Sequence, residues 1–336
     1  MLYGSILCGQ SSLQTGTDVP GRLAVMRIIA GVTDFCIEDP TAVAIGKFDG
    51  IHLGHKRLLD NILVQRAHGL KSVVFTFDPA PSSFFTGISQ PELLTREEKR
   101  DFFSEMGIDY FVEFPLTMET AAIPPEVFIA QYLYKQMNMR YISAGTDLSF
   151  GDKGRGNVDL ICSFSNQLHY HVEIVDKLCH NGREISSTYV REAVDRADMQ
   201  TAESLLGRPY SIKGRVVHGN RLGRTIGTPT ANLVVAKEKL LPPNGVYISK
   251  TLINGRLYPG VTNIGHKPTV AEGAYGVETY LFDVDEDLYH KEIEVFLCKH
   301  TRSEKKFDNV ELLRRQIEQD KCQACEYFRN LPGEFH

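Results

Sequence analysis

Between residues 41 and about 206, short apolar runs alternate with stretches whose apolar residues recur at helical spacing. TAVAI leads into HKRLLDNILVQRAHG, where Leu58, Leu59, Ile62 and Leu63 fall on one helical face. KSVVFTF (71–77) reads as the next strand. TREEKRDFFSEMG reads as a helix with its signals in place: Thr95 and Glu98 form a capping box, and Gly107 supplies the stop. DYFVEF predicts a strand, Pro124 or Pro125 to about Asn138 a helix, and RYISAG another strand. HVEIV and a helix from about Ser187 complete the series. Alternation of this kind predicts a parallel sheet with helices on both faces.

From Tyr210 the rhythm changes. SIKGRVVHG, GVYISKTLING, RLYPGVTNIG, GVETYLFDV and LYHKEIEVFLC are strand-like and broken by Gly, Asn, Asp and Pro. INGR is a hairpin signal. Strands so closely spaced predict a small β-barrel. FDNVELLRRQIEQDKCQACEYF predicts a closing helix that starts at a capping box of Asp308 and Glu311. The expected fold class is α/β plus β, with one domain over 26–206 and a second over 207–336. The link near Leu206–Pro209 is too short for the two to tumble freely. Residues 1–25 are polar and rich in Gly, Ser and Thr, and Met26 opens a better-patterned segment. They are expected to be a disordered tail or an over-long gene start.

Composition narrows the classes. A length of 336 residues fits two domains. A net charge of −5 lacks the basic surplus of a general nucleic-acid or membrane binder. No apolar run approaches the ~20 residues of a bilayer span, and the amino terminus is not a good signal peptide. The cysteines at 8, 36, 162, 179, 298, 322 and 325 form no dense framework, so a reducing, cytoplasmic setting is expected. Cys322 and Cys325 make a lone C-x-x-C in a helical pattern, better read as a helix face than as zinc or redox chemistry.

Candidate chemistry begins directly after TAVAI. The stretch Gly46-Lys47-Phe48-Asp49-Gly50-Ile51-His52-Leu53-Gly54-His55 turns a strand into a helix. Such a turn aims backbone N–H groups and the positive helix end at one point, which suits a phosphate. Gly46 and Gly50 permit a tight turn, Gly54 permits close approach, and His52 and His55 stand ready as donors. Donors aimed at the α-phosphate of ATP would stabilise the charge that builds during nucleotidyl transfer. In ISSTYVRE (185–192), Ser187 and Thr188 start a helix and Arg191 adds a guanidinium fork for phosphate. Asp78 and Asp147 end strands at the usual ligand edge; orienting substrate or ribose and plain turn duty stand as equal readings.

A second candidate lies in HGNRLGRTIGTPTANL (218–233). Gly219, Gly223 and Gly227 give a loop able to wrap phosphates through its backbone. Thr230 and Asn232, two apart on an extended segment, face one side and offer hard oxygen ligands suited to Mg²⁺.

These motifs resemble the bacterial bifunctional riboflavin kinase/FMN adenylyltransferases, or FAD synthetases. GKFDGIHLGH is similar to the G-x-FDG-x-H-x-GH motif of the nucleotidyltransferase superfamily, and FTFDPAP (75–81), GTDLSFGDKGRGN (145–157) and ISSTYVRE resemble further segments of that module. The 218–233 stretch resembles the riboflavin kinase signature G-x-x-x-GR-x-x-G-F-PTAN, continued by PPNGVYI, VTNIGHKPTV, GVETYLFD and TRSEKKF. The resemblance implies a Rossmann-like nucleotidyltransferase sheet followed by a riboflavin-kinase-type barrel with a carboxyl-terminal helix. It implies that the ISST-x-x-R segment closes over the ATP phosphates and that Glu278 takes the proton of the riboflavin 5′-hydroxyl. Arg302 is either a flavin or phosphate contact or a surface arginine. Thr228 stands where Phe is common in the kinase loop, Leu148 where Phe is usual, and His290 where Gly is usual. A backbone turn that Gly permits is expected to be altered at His290.

The implied partners are riboflavin, FMN, FAD and ATP, with Mg²⁺ and without nucleic acid or membrane, on a monomer or weak homo-oligomer. Rival readings keep only the adenylyltransferase alive, make the chain a flavin-binding regulator, or send the first domain to another phosphorylated precursor such as phosphopantetheine. The kinase-like half argues against the last.

Overall fold

The computed structural model describes residues 25–219, 229–266, 275–284 and 286–330. The sequence expectations for residues 1–24, Gly223, Gly227 and Thr228 lie outside these.

β1 (Arg27–Ala30), β2 (Thr41–Ile45), β3 (Lys71–Asp78), β4 (Tyr110–Pro115), β5 (Met139–Gly145) and β6 (His171–Val175) form one sheet in the order β1-β4-β3-β2-β5-β6. All its pairings are parallel. Its strands read as continuous apolar runs because both faces are covered. Val43, Val73, Phe75 and Val112 belong to one buried cluster, while Ala42, Ala44, Val74 and Phe111 belong to the other. That is the period of two expected of strands.

α1 (Leu53–Val64) follows β2, α2 (Pro81–Thr86) follows β3, and α3 (Arg96–Glu105) leads towards β4. Both arms of the Thr95–Glu98 capping box are formed. After α4 (Met118–Ala121), α5 (Pro125–Val127) runs into a π-wound segment, Phe128–Gln136. The helix expected over 124–138 is therefore present but wound wide. There Phe128 and Tyr132 stack with centroids 5.8 Å apart, and both pack onto Phe114. α6 (Val158–Leu168), the small hairpin of β7 (Cys179–His180) and β8 (Arg183–Glu184), α7 (Ser187–Asp195) and α8 (Met199–Leu206) complete this part.

β9 (Tyr210–Val217), β10 (Thr230–Val235), β11 (Gly245–Ile253), β12 (Arg256–His266), β13 (Tyr275–Leu281) and β14 (Glu292–Arg302) close an antiparallel barrel in the order β10-β13-β12-β11-β14-β9. The INGR turn is the tight hairpin between β11 and β12, with Asn254 at φ 50° and Gly255 at φ 79°. α9 (Val310–Arg329) packs across β11 and β12. Its cap is Asn309, whose side chain accepts the Leu312 N–H at 2.9 Å, and not the expected Asp308–Glu311 box. Asn309 reaches the third N–H of the helix itself, so the helix opens one residue later than expected.

The two parts share a core. Val190, Val194, Leu205 and Leu206 join Ile212, Val277, Val295 and Leu297 in one buried cluster, with α8 packed against β9 and β14. Beside it lies a fully buried ion pair: Lys239 Nζ donates to Glu98 Oε2 and to the Leu93 carbonyl, both at 2.8 Å, over the Tyr210 ring. The Leu240 N–H donates to the Glu92 carbonyl at 2.8 Å.

Candidate functional sites

The sheet order places a topological switch at β2, with β3 on one side and β5 on the other. Open α/β sheets take their ligands outside the carboxyl ends of the strands at such a point. The loop 46–52 leaves β2 there. Phe48 (φ 49°), Gly50 (φ 79°) and Ile51 (φ 46°) all hold left-handed backbone. For buried, β-branched Ile51 this is an outlier of the kind that persists where the surroundings over-determine it. A Cβ on Gly50 would also stand 2.8 Å from the Leu93 side chain, so any other residue there would be strained and would push Leu93 aside.

The surroundings are specific. The Asp49 carboxylate accepts the Leu93 N–H at 3.0 Å and Arg191 Nη2 at 2.6 Å. The Ser187 hydroxyl donates to the Asp49 carbonyl at 2.7 Å. Arg208 donates to the carbonyls of Gly50 and Ile51 at 2.8 and 2.9 Å. Ser187 and Arg191, read from the sequence as a phosphate clamp, thus meet the 46–55 turn and brace it through Asp49. Thr188 is exposed on the first turn of α7.

His52 caps α1, its Nδ1 accepting the His55 N–H at 3.4 Å, which leaves Nε2 to carry the proton. The two imidazoles stack with centroids 3.8 Å apart, and His55 also packs on Phe48. Gly54 makes room for this: a Cβ there would crowd the His52 ring at 3.2 Å. Burial lowers the His52 pKa to about 4, partly opposed by Asp147 and Asp49 and reinforced by Arg208. Burial, and next the neighbouring His52, also holds His55 well below its ordinary value. Both rings are neutral at pH 7, and the buried His55 Nδ1 has no hydrogen-bond partner among the described residues.

Asp147 follows β5 across the switch and pairs with Lys177 at 3.5 Å. Asp78 ends β3 and pairs with Arg96 at 3.0 Å, while Arg96 also forks the buried Glu113. Gly46 leaves room for the Phe48 ring, 3.3 Å from where its Cβ would be.

The second constellation lies on the barrel. Asn232 is paired in register with Glu278, and Glu278 with Asn263, so the three form a row on one face of adjacent strands. Thr230 lies two residues before Asn232 on that face. Gly219 abuts the row: a Cβ there would sit 2.5 Å from Asn232 Nδ2. Thr230 also borders a cavity of about 480 Å³ with Pro229, Val216 and Tyr289. Arg302 ends β14 but turns to α9, where it makes a two-pronged pair with buried Asp320 at 3.0 and 2.7 Å. His290 keeps the glycine-type turn: its φ is 66°, and its N–H donates to the Val216 carbonyl at 2.9 Å. The turn expected to be altered there is formed with a side chain in a conformation that favours Gly.

Asn263 and Arg208 were not singled out by sequence reasoning. Asn263 stands inside a motif already quoted, and its polar side chain on an alternating strand was the available signal. Arg208 has no local signal for this role, because the two loop carbonyls it grips lie more than 150 residues away in sequence.

Residues 36–189 match the FAD synthetase family and residues 206–328 the riboflavin kinase family. The Escherichia coli K12 bifunctional riboflavin kinase/FMN adenylyltransferase is 36% identical over 308 residues, covering 90% of this chain and 98% of that one. The Bacillus subtilis counterpart is 36% identical over 299 residues, covering 87% and 93%. Among solved structures, a Streptococcus pneumoniae protein described as a macrolide-efflux protein aligns with a TM-score of 0.78 at 30% identity, over 91% of this chain and 99% of that one. Among the described residues of this chain, no helix is long and apolar enough to cross a membrane.

Proposed function

We propose that this chain, which belongs to the bifunctional riboflavin kinase/FMN adenylyltransferase family and makes FMN from riboflavin and ATP and FAD from FMN and ATP, forms FAD at the β2–α1 turn and phosphorylates riboflavin at the Asn232–Glu278 row. The observation that carries the first assignment is the stacked, neutral His52–His55 pair on a helix N-terminus at the switch point.

At the first site the triphosphate of ATP lies against the amino terminus of α1. A phosphate oxygen of FMN attacks the α-phosphorus, the bond from that phosphorus to the bridging oxygen breaks, and pyrophosphate leaves. The attacking phosphate is already anionic, so no base is needed. His52 and His55, neutral and fixed by stacking, donate to the oxygens on which charge builds. Arg191 and Ser187 hold Asp49 and with it the loop. Asp78 and Asp147, at the ends of β3 and β5, orient the flavin nucleotide and ATP from either side.

At the second site the riboflavin 5′-hydroxyl attacks the γ-phosphorus of ATP. Glu278 takes the hydroxyl proton as ADP departs. Thr230 and Asn232 present hard oxygen donors on one face, and Gly219 leaves beside Asn232 the room a Cβ would fill, which fits Mg²⁺ held by this pair. When bound, Mg²⁺ neutralises charge on the ATP phosphates. Gly223 and Gly227 belong with Gly219 to the phosphate loop, and Arg302 supports the site by fixing α9. The six described cysteines are free thiols, which fits a reducing cytoplasm, and we read the enzyme as a monomer or weak homo-oligomer.

The test is a time course with riboflavin, ATP and Mg²⁺, separating the flavins by chromatography. His55→Ala is expected to accumulate FMN and lose FAD formation by about 10²–10³-fold. Glu278→Gln is expected to make no FMN yet convert supplied FMN to FAD. FAD formation within about twofold of wild type in His55→Ala would remove that residue from the transition state.

A further inference from the structure

Arg208 stands in the link between α8 and β9, outside both reacting centres. Its two terminal nitrogens go to main-chain oxygens, Nη2 to Gly50 at 2.8 Å and Nη1 to Ile51 at 2.9 Å, with a longer Nη1 contact to Leu206 at 3.5 Å. Its guanidinium lies over the Phe102 ring, 4.5 Å from the centroid. The residues it grips are two of the three with left-handed backbone in the loop. For β-branched Ile51 that conformation is strained, and Arg208 is one of the contacts that hold it. The next residue is His52, whose cap on α1 and stack on His55 follow from where Ile51 leaves it.

Arg208 is itself fixed from the barrel side. Two residues on, Tyr210 begins β9, is buried, donates its hydroxyl to the Leu240 carbonyl at 2.7 Å and lies under Lys239. A guanidinium holds two adjacent carbonyls in one plane, which an ammonium on the same path does not.

We propose that Arg208 is a positioning residue for adenylyl transfer: docking of the kinase barrel sets its fork, and the fork sets the Gly50–Ile51 backbone that places His52. This rests on the assignment of His52 to the adenylyltransferase site. It makes the kinase half a structural part of the other centre, and it predicts that the two activities of one molecule separate at this residue.

The experiment compares Arg208→Lys, Arg208→Gln and His52→Ala in the full chain, measuring riboflavin phosphorylation and FMN adenylylation in the same preparations. In Arg208→Gln the kcat for FAD formation is expected to fall about 10–100-fold, as for a catalytic group displaced by about 1 Å. The KM values for ATP and FMN should change little, and kinase activity should hold. Arg208→Lys keeps the charge and one contact, so its kcat should lie between those of wild type and the glutamine variant. Adenylylation at the wild-type kcat in either Arg208 variant, with His52→Ala inactive, overturns the proposal. So does a parallel loss of both activities in both variants, which would make Arg208 a residue of the fold. Wild-type FAD formation in His52→Ala would instead overturn the site assignment beneath it.

Discussion

Lys239→Met tests the joint between the two halves. The Lys239 ammonium has no exposed surface and two partners, the Leu93 carbonyl and Glu98 Oε2, each at 2.8 Å. Methionine keeps the apolar stem and removes the charge. Glu98 retains the Thr95 N–H at 2.8 Å and the Lys213 N–H at 3.3 Å but loses its counter-charge while buried. Breaking a buried pair from one side costs about 3–5 kcal/mol. With a urea slope of about 3 kcal/mol/M for a chain of this size, the midpoint should fall by about 1–1.7 M. Adding Glu98→Gln removes the stranded charge and keeps an acceptor for the Thr95 N–H, at the expense of the longer 3.3 Å bond from the Lys213 N–H. The double variant should then recover part of that loss, the remainder being the cost of an unpaired Leu93 carbonyl, about 1–3 kcal/mol, and of the weaker Lys213 bond. Urea unfolding followed by circular dichroism and by tyrosine fluorescence measures both. A midpoint within about 0.3 M of wild type for Lys239→Met, or a double variant weaker than the single, would refute the reasoning.

His290→Gly should stabilise the barrel by about 0.5–1 kcal/mol, because relief of a left-handed side chain outweighs the added freedom of the unfolded chain; lower stability in thermal unfolding would contradict this. The pH dependence of stability follows from His52. Its pKa is about 4 in the folded chain against the ordinary 6.5, so below pH 6.5 the unfolded state binds the extra proton. The stabilisation is complete above pH 6.5, falls by about 2 kcal/mol between there and pH 5, and levels off below pH 4. The unfolding free energy of wild type relative to His52→Asn should shrink by that amount over the interval, and a pH-independent difference would exclude His52 as the titrating group.

What the sequence disclosed was local. The Thr95–Glu98 box and the Asn254–Gly255 turn are short-range devices whose residues and partners lie within four positions, and both are formed. The strand and helix alternation survives because apolar period is a property of each segment alone. The same locality explains the failures. Asp308 and Glu311 carried a capping signal for the Glu311 N–H, but Asn309 caps the Leu312 N–H instead and starts the helix one residue later. Phe128–Gln136 has ordinary helical spacing, and its wide winding accompanies aromatic packing on Phe114 from another element. At the candidate sites, the sequence offered His52 and His55 as donors, whereas their neutrality comes from burial that only the assembled turn provides. Arg302 reads from the sequence as a flavin or phosphate contact or as a surface arginine, and its pairing with Asp320, on another element, leaves no trace in the local sequence. Arg208 and Lys239 were invisible for the same reason.

The shared core also sets a schedule. Leu205 and Leu206 bury their side chains in a cluster that includes Val295 and Leu297. A ribosome adding about 5–20 residues per second needs roughly 5–20 s to travel from one pair to the other. For that interval the parallel sheet is complete in sequence, yet α7 and α8 have no barrel to cover them. Nascent chains in this window carry an apolar surface that a chaperone can bind. The adenylyltransferase half, although made first, reaches its final form only when the last strand of the barrel has been translated.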